Sequence, residues 1–264
     1  MDDLDLRLAA AKAVAQDAGE LAKRRFLARR AGDFTLKGPQ DFLTEVDGEV
    51  ERAVVDALAT LFPQDGFLGE EGGPQAQSRG GAGTWIIDPI DGTANYARGI
   101  GHFCVSIAYF AAGRPLVGVI AAPMAGELFA AAEGRGATLN GTPIAAAATT
   151  ELAVASLELG WNTRRTNAEY LALLAALLDA GVSVRRSGSG ALGIAYVAAG
   201  RSDAYIETHI NPWDVAAGLV IAREAGARLN DFFAGDGLAR GNAVLTAAPG
   251  VAANLSALTG IALA

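Results

Sequence analysis

The stretch Trp85-Ile86-Ile87-Asp88-Pro89-Ile90-Asp91-Gly92-Thr93-Ala94-Asn95-Tyr96 decides most of what the sequence says. Trp85-Ile86-Ile87 is a short apolar run that stops at an acid, as a buried strand does. Pro89 fixes the backbone after it, and Asp91 returns to the side that Asp88 faces. Two carboxylates and the intervening Ile90 carbonyl then converge on one point. Without a cation the two acids would repel by roughly 3 kcal/mol at 5 Å and an effective dielectric of 20. Donors that are all oxygen favour Mg2+ or Mn2+ over zinc. Gly92-Thr93 follows with unhindered backbone N–H groups at the start of a short helix, a place suited to a phosphate. An ordinary turn accounts for Pro89 and Gly92, but not for two acids at the end of a strand.

Upstream, residues 4–30 are rich in Ala and Leu with interspersed charges and read as a long amphipathic helix. Breaks are expected at Ala31-Gly32-Asp33 and at Lys37-Gly38-Pro39-Gln40. A second helix follows. Val50, Ala53, Val54, Ala57, Leu58 and Leu61 fit one buried stripe, and Phe62-Pro63 ends it. Downstream, apolar runs at 103–110, 115–122, 127–132 and 136–139, separated by Gly and Pro, predict an antiparallel meander. Strands at 153–159, 182–186, 203–207 and 243–247 then alternate with helices at 166–180, 189–199, 212–225 and 250–259. Thr166 and Glu169 form a capping box, with Gly181 beyond the helix end. This order predicts a layered α/β fold. Residues 1–264 read as one unit with an internal seam near residue 150.

Composition excludes several classes. Hydrophobic residues make up 51% and charged residues 19%, which is not the balance of a disordered chain. A folded chain of 264 residues buries about 70% of its surface, so its core closes without a staple. The net charge of −8 and the lack of a basic stripe lead to the expectation of no nucleic-acid partner. Cys104 alone cannot form a disulfide framework or a cysteine zinc site, and His102 and His209 are too few for a three-histidine centre. No apolar run spans a membrane and the N-terminus does not read as a secretion signal, so no membrane partner and a cytoplasmic location are expected.

Three further acidic clusters stand where elements end, each with an ordinary reading. In Asp41-x-x-Thr44-x-x-Asp47, Thr44 and Asp47 also fit a helix capping box. Gly69-Glu70-Glu71-Gly72 also fits a solvated turn. Asp214 also fits a first-turn acid behind Asn211 as N-cap and Pro212 at the first helical position.

Taken in order along the chain, these clusters resemble the inositol monophosphatase family. Residues 88–96 look like its D-P-[IL]-D-G-[ST]-x-N-[FY] motif, and Trp213-Asp214-Val215-Ala216-Ala217-Gly218 like its W-D-x-A-A-G motif. Gly69-Glu70-Glu71 matches its G-E-E element, Asp41 to Asp47 its D-x-x-T-x-x-D element, and Arg185 to Leu192 is similar to its R-R-x-G-S-A-A-L segment. The resemblance implies an αβαβα sandwich shared with fructose-1,6-bisphosphatase, a homodimer, and Mg2+-dependent hydrolysis of a small phosphate monoester, with two or three metals per site. It implies that Glu70, Asp88, the Ile90 carbonyl, Asp91 and Asp214 hold the metals. Glu70 and Thr93 would orient and deprotonate water, with Asp47 accepting from the Thr93 hydroxyl. The Gly92 and Thr93 N–H groups would hold phosphate, and Ala191, Glu207 and Asn211 would touch the alcohol. Three positions depart from the pattern: Asn211 where some relatives carry His or Arg, Gly193 where several bacterial members carry Asp, and Gly190 where Ala is usual.

Overall fold

The computed structural model describes residues 2–30, 32, 34–38, 41–76 and 83–264. Parts of both expected breaks, residues 31, 33, 39 and 40, lie outside the described residues. The chain opens with α1 (Asp3–Ala28), the hairpin strands β1 (Thr35–Gly38) and β2 (Asp41–Leu43), and α2 (Glu45–Leu61). There follow β3 (Gly66–Gly69), β4 (Gly73–Ala76), β5 (Thr84–Asp91) and the short α3 (Thr93–Arg98). The meander is β6 (Cys104–Ala111), β7 (Arg114–Ala122), β8 (Glu127–Ala132), β9 (Ala137–Leu139) and β10 (Thr142–Pro143). The second half alternates: β11 (Ser156–Leu159), α4 (Asn167–Asp179), β12 (Ser183–Arg185), α5 (Gly190–Ala198), β13 (Ala204–Ile210), α6 (Pro212–Glu224), β14 (Arg228–Leu229), α7 (Gly237–Arg240), β15 (Asn242–Ala247) and α8 (Pro249–Thr259).

Among the described residues the first half forms an eight-stranded sheet in the order β10-β9-β8-β7-β6-β5-β3-β4. Its pairs are antiparallel except β3 with β5. The second half forms a five-stranded sheet, β12-β11-β13-β15-β14, in which β11 runs parallel to β12 and β13. Because side chains alternate across a strand, each face of a sheet needs its own cover. Trp85, Ile87, Val105, Ile107, Val117 and Val119 pack against α1 and α2. Ile86, Cys104, Ala108 and Ile120 face the other way, onto α5 and α6. Tyr205, Ile210 and Val244 of the second sheet close that middle layer from its far side. Leu157, Ile206 and Leu245 face α4 and α8. The layers therefore run helix, sheet, helix, sheet, helix, as expected.

Two expectations need correction. Residues Leu152–Val154 form a 3-10 turn, and the strand starts only at Ser156, since Ala155 donates its N–H back to the Leu152 carbonyl. The stripe of α2 is narrower than its apolar pattern: Val50, Val54 and Leu58 are buried, Ala53 is exposed and Leu61 is 55% exposed. Polar Asp47 and Glu51 share the buried face instead.

Candidate active site

The site grows from the end of β5. Asp88 pairs with Ser106 and Asp91 with Cys104, so β5 spends three residues where β6 spends two, a bulge that re-aims both acids. Pro89 sits inside it, where no ladder N–H is needed. Asp88 Oδ1 accepts from the Ile90 N–H at 3.0 Å, while Oδ2 is buried and has no donor among the described residues. Gly92 turns the chain into α3 with a φ of 99°, a conformation that disfavours any side chain. Asp91 reaches across to the start of α5. It accepts from the Ser189 hydroxyl, from Gly190 N–H at 3.2 Å and from Ala191 N–H at 2.8 Å.

Asp214 comes from the first turn of α6, where Asn211 is N-cap and Pro212 opens the helix. The Asn211 N–H donates to Asp214 Oδ2 at 3.0 Å. Oxygen atoms of Asp88, Asp91 and Asp214 lie within 4.8 Å of one another, a group able to hold a metal ion. Burial pushes Asp88 well above the usual carboxylate range, helped by the charges of Glu70, Asp91 and Asp214. Burial also raises Asp91, against the Ser189, Ala191 and Gly190 donors. Asp214 is raised by burial and by Asp91 and Glu207. The cluster is thus short of positive charge, and its donors are all oxygen.

Glu70 follows β3 directly and lies near enough for its charge to act on Asp88, though outside the converging three. Its turn is gripped from α2. Glu51 Oε2 accepts from Glu71 N–H at 3.0 Å and Oε1 from Gly72 N–H at 2.8 Å. The sequence reading missed Glu51, one helical turn beyond Asp47; an acid on a buried face was the available signal.

Asp47 is fully buried and serves two purposes. Its Oδ2 accepts from the Thr44 N–H at 2.9 Å and from the Thr44 hydroxyl, closing the capping box of α2. Its Oδ1 accepts from the Thr93 hydroxyl at 3.2 Å. The same hydroxyl lies 2.9 Å from the Ile90 carbonyl. The capping reading and the catalytic one are therefore compatible, one oxygen each. Burial raises Asp47, against the Thr44 hydrogen bonds. The side chain of Asp41 lies outside the described residues.

Beside the three acids a cavity of about 260 Å3 opens, lined by Glu158, Trp161, Arg186, Glu207, His209 and Asn211 among others. Glu207 accepts from the Tyr205 hydroxyl at 2.6 Å and from Asn162 Nδ2 at 3.3 Å, and burial pushes it up to about 7. Burial lowers His209, as do the charges of Arg164, Arg165 and Arg240. Ala191 is placed differently from the expectation. It is fully buried, does not line this cavity, and gives its N–H to Asp91. No helix of the described residues is long and apolar enough to cross a membrane.

The family model described as the inositol monophosphatase family matches residues 3–263. A relative from Xylella fastidiosa named Nus factor SuhB is 42% identical over 224 residues, covering 84% of this chain and 80% of its own length. The structure of an extragenic suppressor protein suhB from Bartonella henselae superposes with a TM-score of 0.89 at 30% identity, covering 96% of this chain and 98% of that one. An inositol monophosphatase from Anabaena gives 0.85 at 34% identity, covering 99% and 98%. The name Nus factor leaves the expectation of no nucleic-acid partner without support.

Proposed function

The chain belongs to the inositol monophosphatase family, and from that premise we propose that it hydrolyses a small polyol or sugar monophosphate, myo-inositol 1-phosphate first among candidates. The observation that carries this reading is the convergence of Asp88, Asp91 and Asp214 beside a Thr93 hydroxyl held by Asp47. The donor set fits Mg2+ or Mn2+: oxygen only, raised carboxyls, and a buried Asp88 Oδ2 with no donor. Asp88, Asp91, Asp214, Glu70 and the Ile90 carbonyl would hold the ions. Bound there, they would neutralise the acids, polarise the phosphoryl group and make water more acidic.

The chain's own groups do the rest. The Thr93 hydroxyl, fixed between Asp47 Oδ1 and the Ile90 carbonyl, orients the attacking water together with Glu70. The water gives a proton to Glu70 as its oxygen bonds to phosphorus, the ester P–O bond breaks, and the leaving oxygen takes that proton so that an alcohol departs. The Gly92 and Thr93 N–H groups take the phosphate oxygens at the start of α3. Glu207 and Asn211 face the leaving alcohol across the cavity. The reading includes a homodimer in the cytoplasm.

A phosphate-release screen with Mg2+ tests the reading. It should cover myo-inositol 1-phosphate, histidinol phosphate, fructose 1,6-bisphosphate and a 3′-phosphonucleotide. Polyol monophosphates should lead in kcat/KM, since Asn211 offers no charge to a second anionic group. No release from any monoester would overturn it. It would favour the second reading, that of a member acting by binding a partner, which the Nus factor name of the relatives supports.

A further inference from the structure

Tyr205, buried in the wall of the cavity, has no part in the reaction described above. Tyr205 and Glu207 stand two residues apart on β13 and share a face. Both are buried, and the Tyr205 hydroxyl donates to Glu207 Oε2 at 2.6 Å. Three positions without side chains clear the space around them. A Cβ at Gly160, just after β11, would lie 2.0 Å from Glu207 Oε2 and 2.7 Å from the Tyr205 oxygen. At Gly190 it would lie 3.0 Å from that oxygen, and at Gly193 only 2.4 Å from the Tyr205 ring. Of the positions that depart from the family pattern, Gly193 is the one that leaves room for the tyrosine ring, since at Gly190 the nearest atom is Ile210 Cδ1 at 2.8 Å. An aspartate at 193 would need the room the ring fills.

The consequence follows from counting lone pairs. A carboxylate has two oxygens, and Tyr205 occupies one of them with a short bond. It also prevents the group from turning. Among the described residues the other oxygen meets the longer contact from Asn162 Nδ2, at 3.3 Å, on the side of the cavity. We propose that Tyr205 is a positioning residue, which locks Glu207 so that Oε1 accepts a hydroxyl of the leaving alcohol. The substrate class this selects is a monophosphate whose alcohol carries further hydroxyl groups, over one whose leaving group has none. The inference rests on the phosphatase reading above.

The test compares myo-inositol 1-phosphate with p-nitrophenyl phosphate, whose leaving group has no further hydroxyl, in the full chain with Mg2+. Tyr205→Phe keeps the ring and removes the donor. The ratio of the two kcat/KM values should fall about tenfold, or about 1.4 kcal/mol, through a higher KM for the inositol ester. Gly193→Ala, which displaces the ring from a different element, should lower the ratio in the same direction and stands in if Tyr205→Phe does not fold. A purely structural pair would instead lower the melting temperature and leave the ratio where it was, and that result overturns the proposal. If the wild-type chain hydrolyses neither ester, the phosphatase reading falls and takes this inference with it. Hydrolysis of both with an unmoved ratio overturns the inference alone.

Discussion

Replacing Asp88 by Asn should raise stability in the absence of divalent cations and remove most of the stabilisation that they add to wild type. The substitution is nearly isosteric, and the amide carbonyl can still accept from the Ile90 N–H, as Oδ1 does at 3.0 Å. The amide nitrogen then occupies the place of Oδ2, a buried atom without a donor, and offers hydrogens to the neighbouring acids. At the 4.8 Å limit of the cluster and an effective dielectric of 20, one ionised pair repels by about 3.5 kcal/mol. Because burial already raises all three carboxyls, they are not all ionised near neutral pH. The relief is then a fraction of one pair, about 1–3 kcal/mol. For a chain of this size each kcal/mol moves Tm by about 2–4 °C, so the variant should melt about 2–12 °C above wild type in EDTA. With Mg2+ at about 100 times its Kd the wild type gains about 2.7 kcal/mol, and the variant should gain little. Thermal unfolding by circular dichroism, in EDTA and across an Mg2+ titration, reads both effects. A variant that melts below wild type in EDTA and keeps the full Mg2+ gain would refute the reasoning.

Thr93→Ala should lower kcat by about 10²–10⁴-fold with little change in Tm. Asp47→Asn should lose turnover too, and in addition about 1 kcal/mol of stability from the α2 cap; turnover that survives would leave Asp47 a cap only. Glu207 holds its proton up to about 7 in the fold, against an ordinary 4.5. Between those values the folded state binds more protons than the unfolded one, so stability falls as pH rises through that window, by up to about 3 kcal/mol. Glu207→Gln should flatten that part of a stability–pH curve, and an unchanged slope would count against the assignment. Glu51→Ala frees the Glu71 and Gly72 N–H groups. Mn2+ affinity measured by calorimetry should weaken about tenfold, and equal affinity would show that the grip on the Glu70 turn does not reach the metal site.

What could be read from the sequence was what the chain encodes over a few residues. The capping boxes at Thr44 and Asp47 and at Thr166 and Glu169 form, and Asn211 is the N-cap with Asp214 in the first turn of α6, because each set lies within three residues. The meander was legible for the same reason, each strand being bounded by its own turn. The short strands β3 and β4 escaped notice, as four residues with terminal glycines carry no period. Arg7 looked like a charge on an amphipathic helix. It is buried, paired with Asp65, and stacked on Phe62 and Tyr109. Asp65 also accepts from Trp85 Nε1 at 2.8 Å. No local pattern announces a partner 58 residues away. The same limit hid the grip of Glu51 on the turn some twenty residues further along. It also hid Asp91's anchorage in α5, so the acids were legible as a set while the groups that aim them were not.

That anchorage bears on the order of events in folding. Asp91 is held by Ser189, Gly190 and Ala191, about a hundred residues further along, and Asp214 arrives later still. A chain emerging from its N-terminus carries Asp88 and Asp91 for much of its synthesis with neither partner present. Contacts of such long separation close late, after the loops between them have given up their freedom. A cation that needs Asp88, Asp91 and Asp214 together then finds no complete set in the early collapsed forms and cannot serve as their template. Its stabilisation falls on the native side of the barrier, so it should slow unfolding and leave the folding rate nearly unaltered. On the proposed reading, divalent metal would be a bolt slid home after the door has shut, and withdrawing it should shorten the lifetime of the native state before it changes how fast that state is reached.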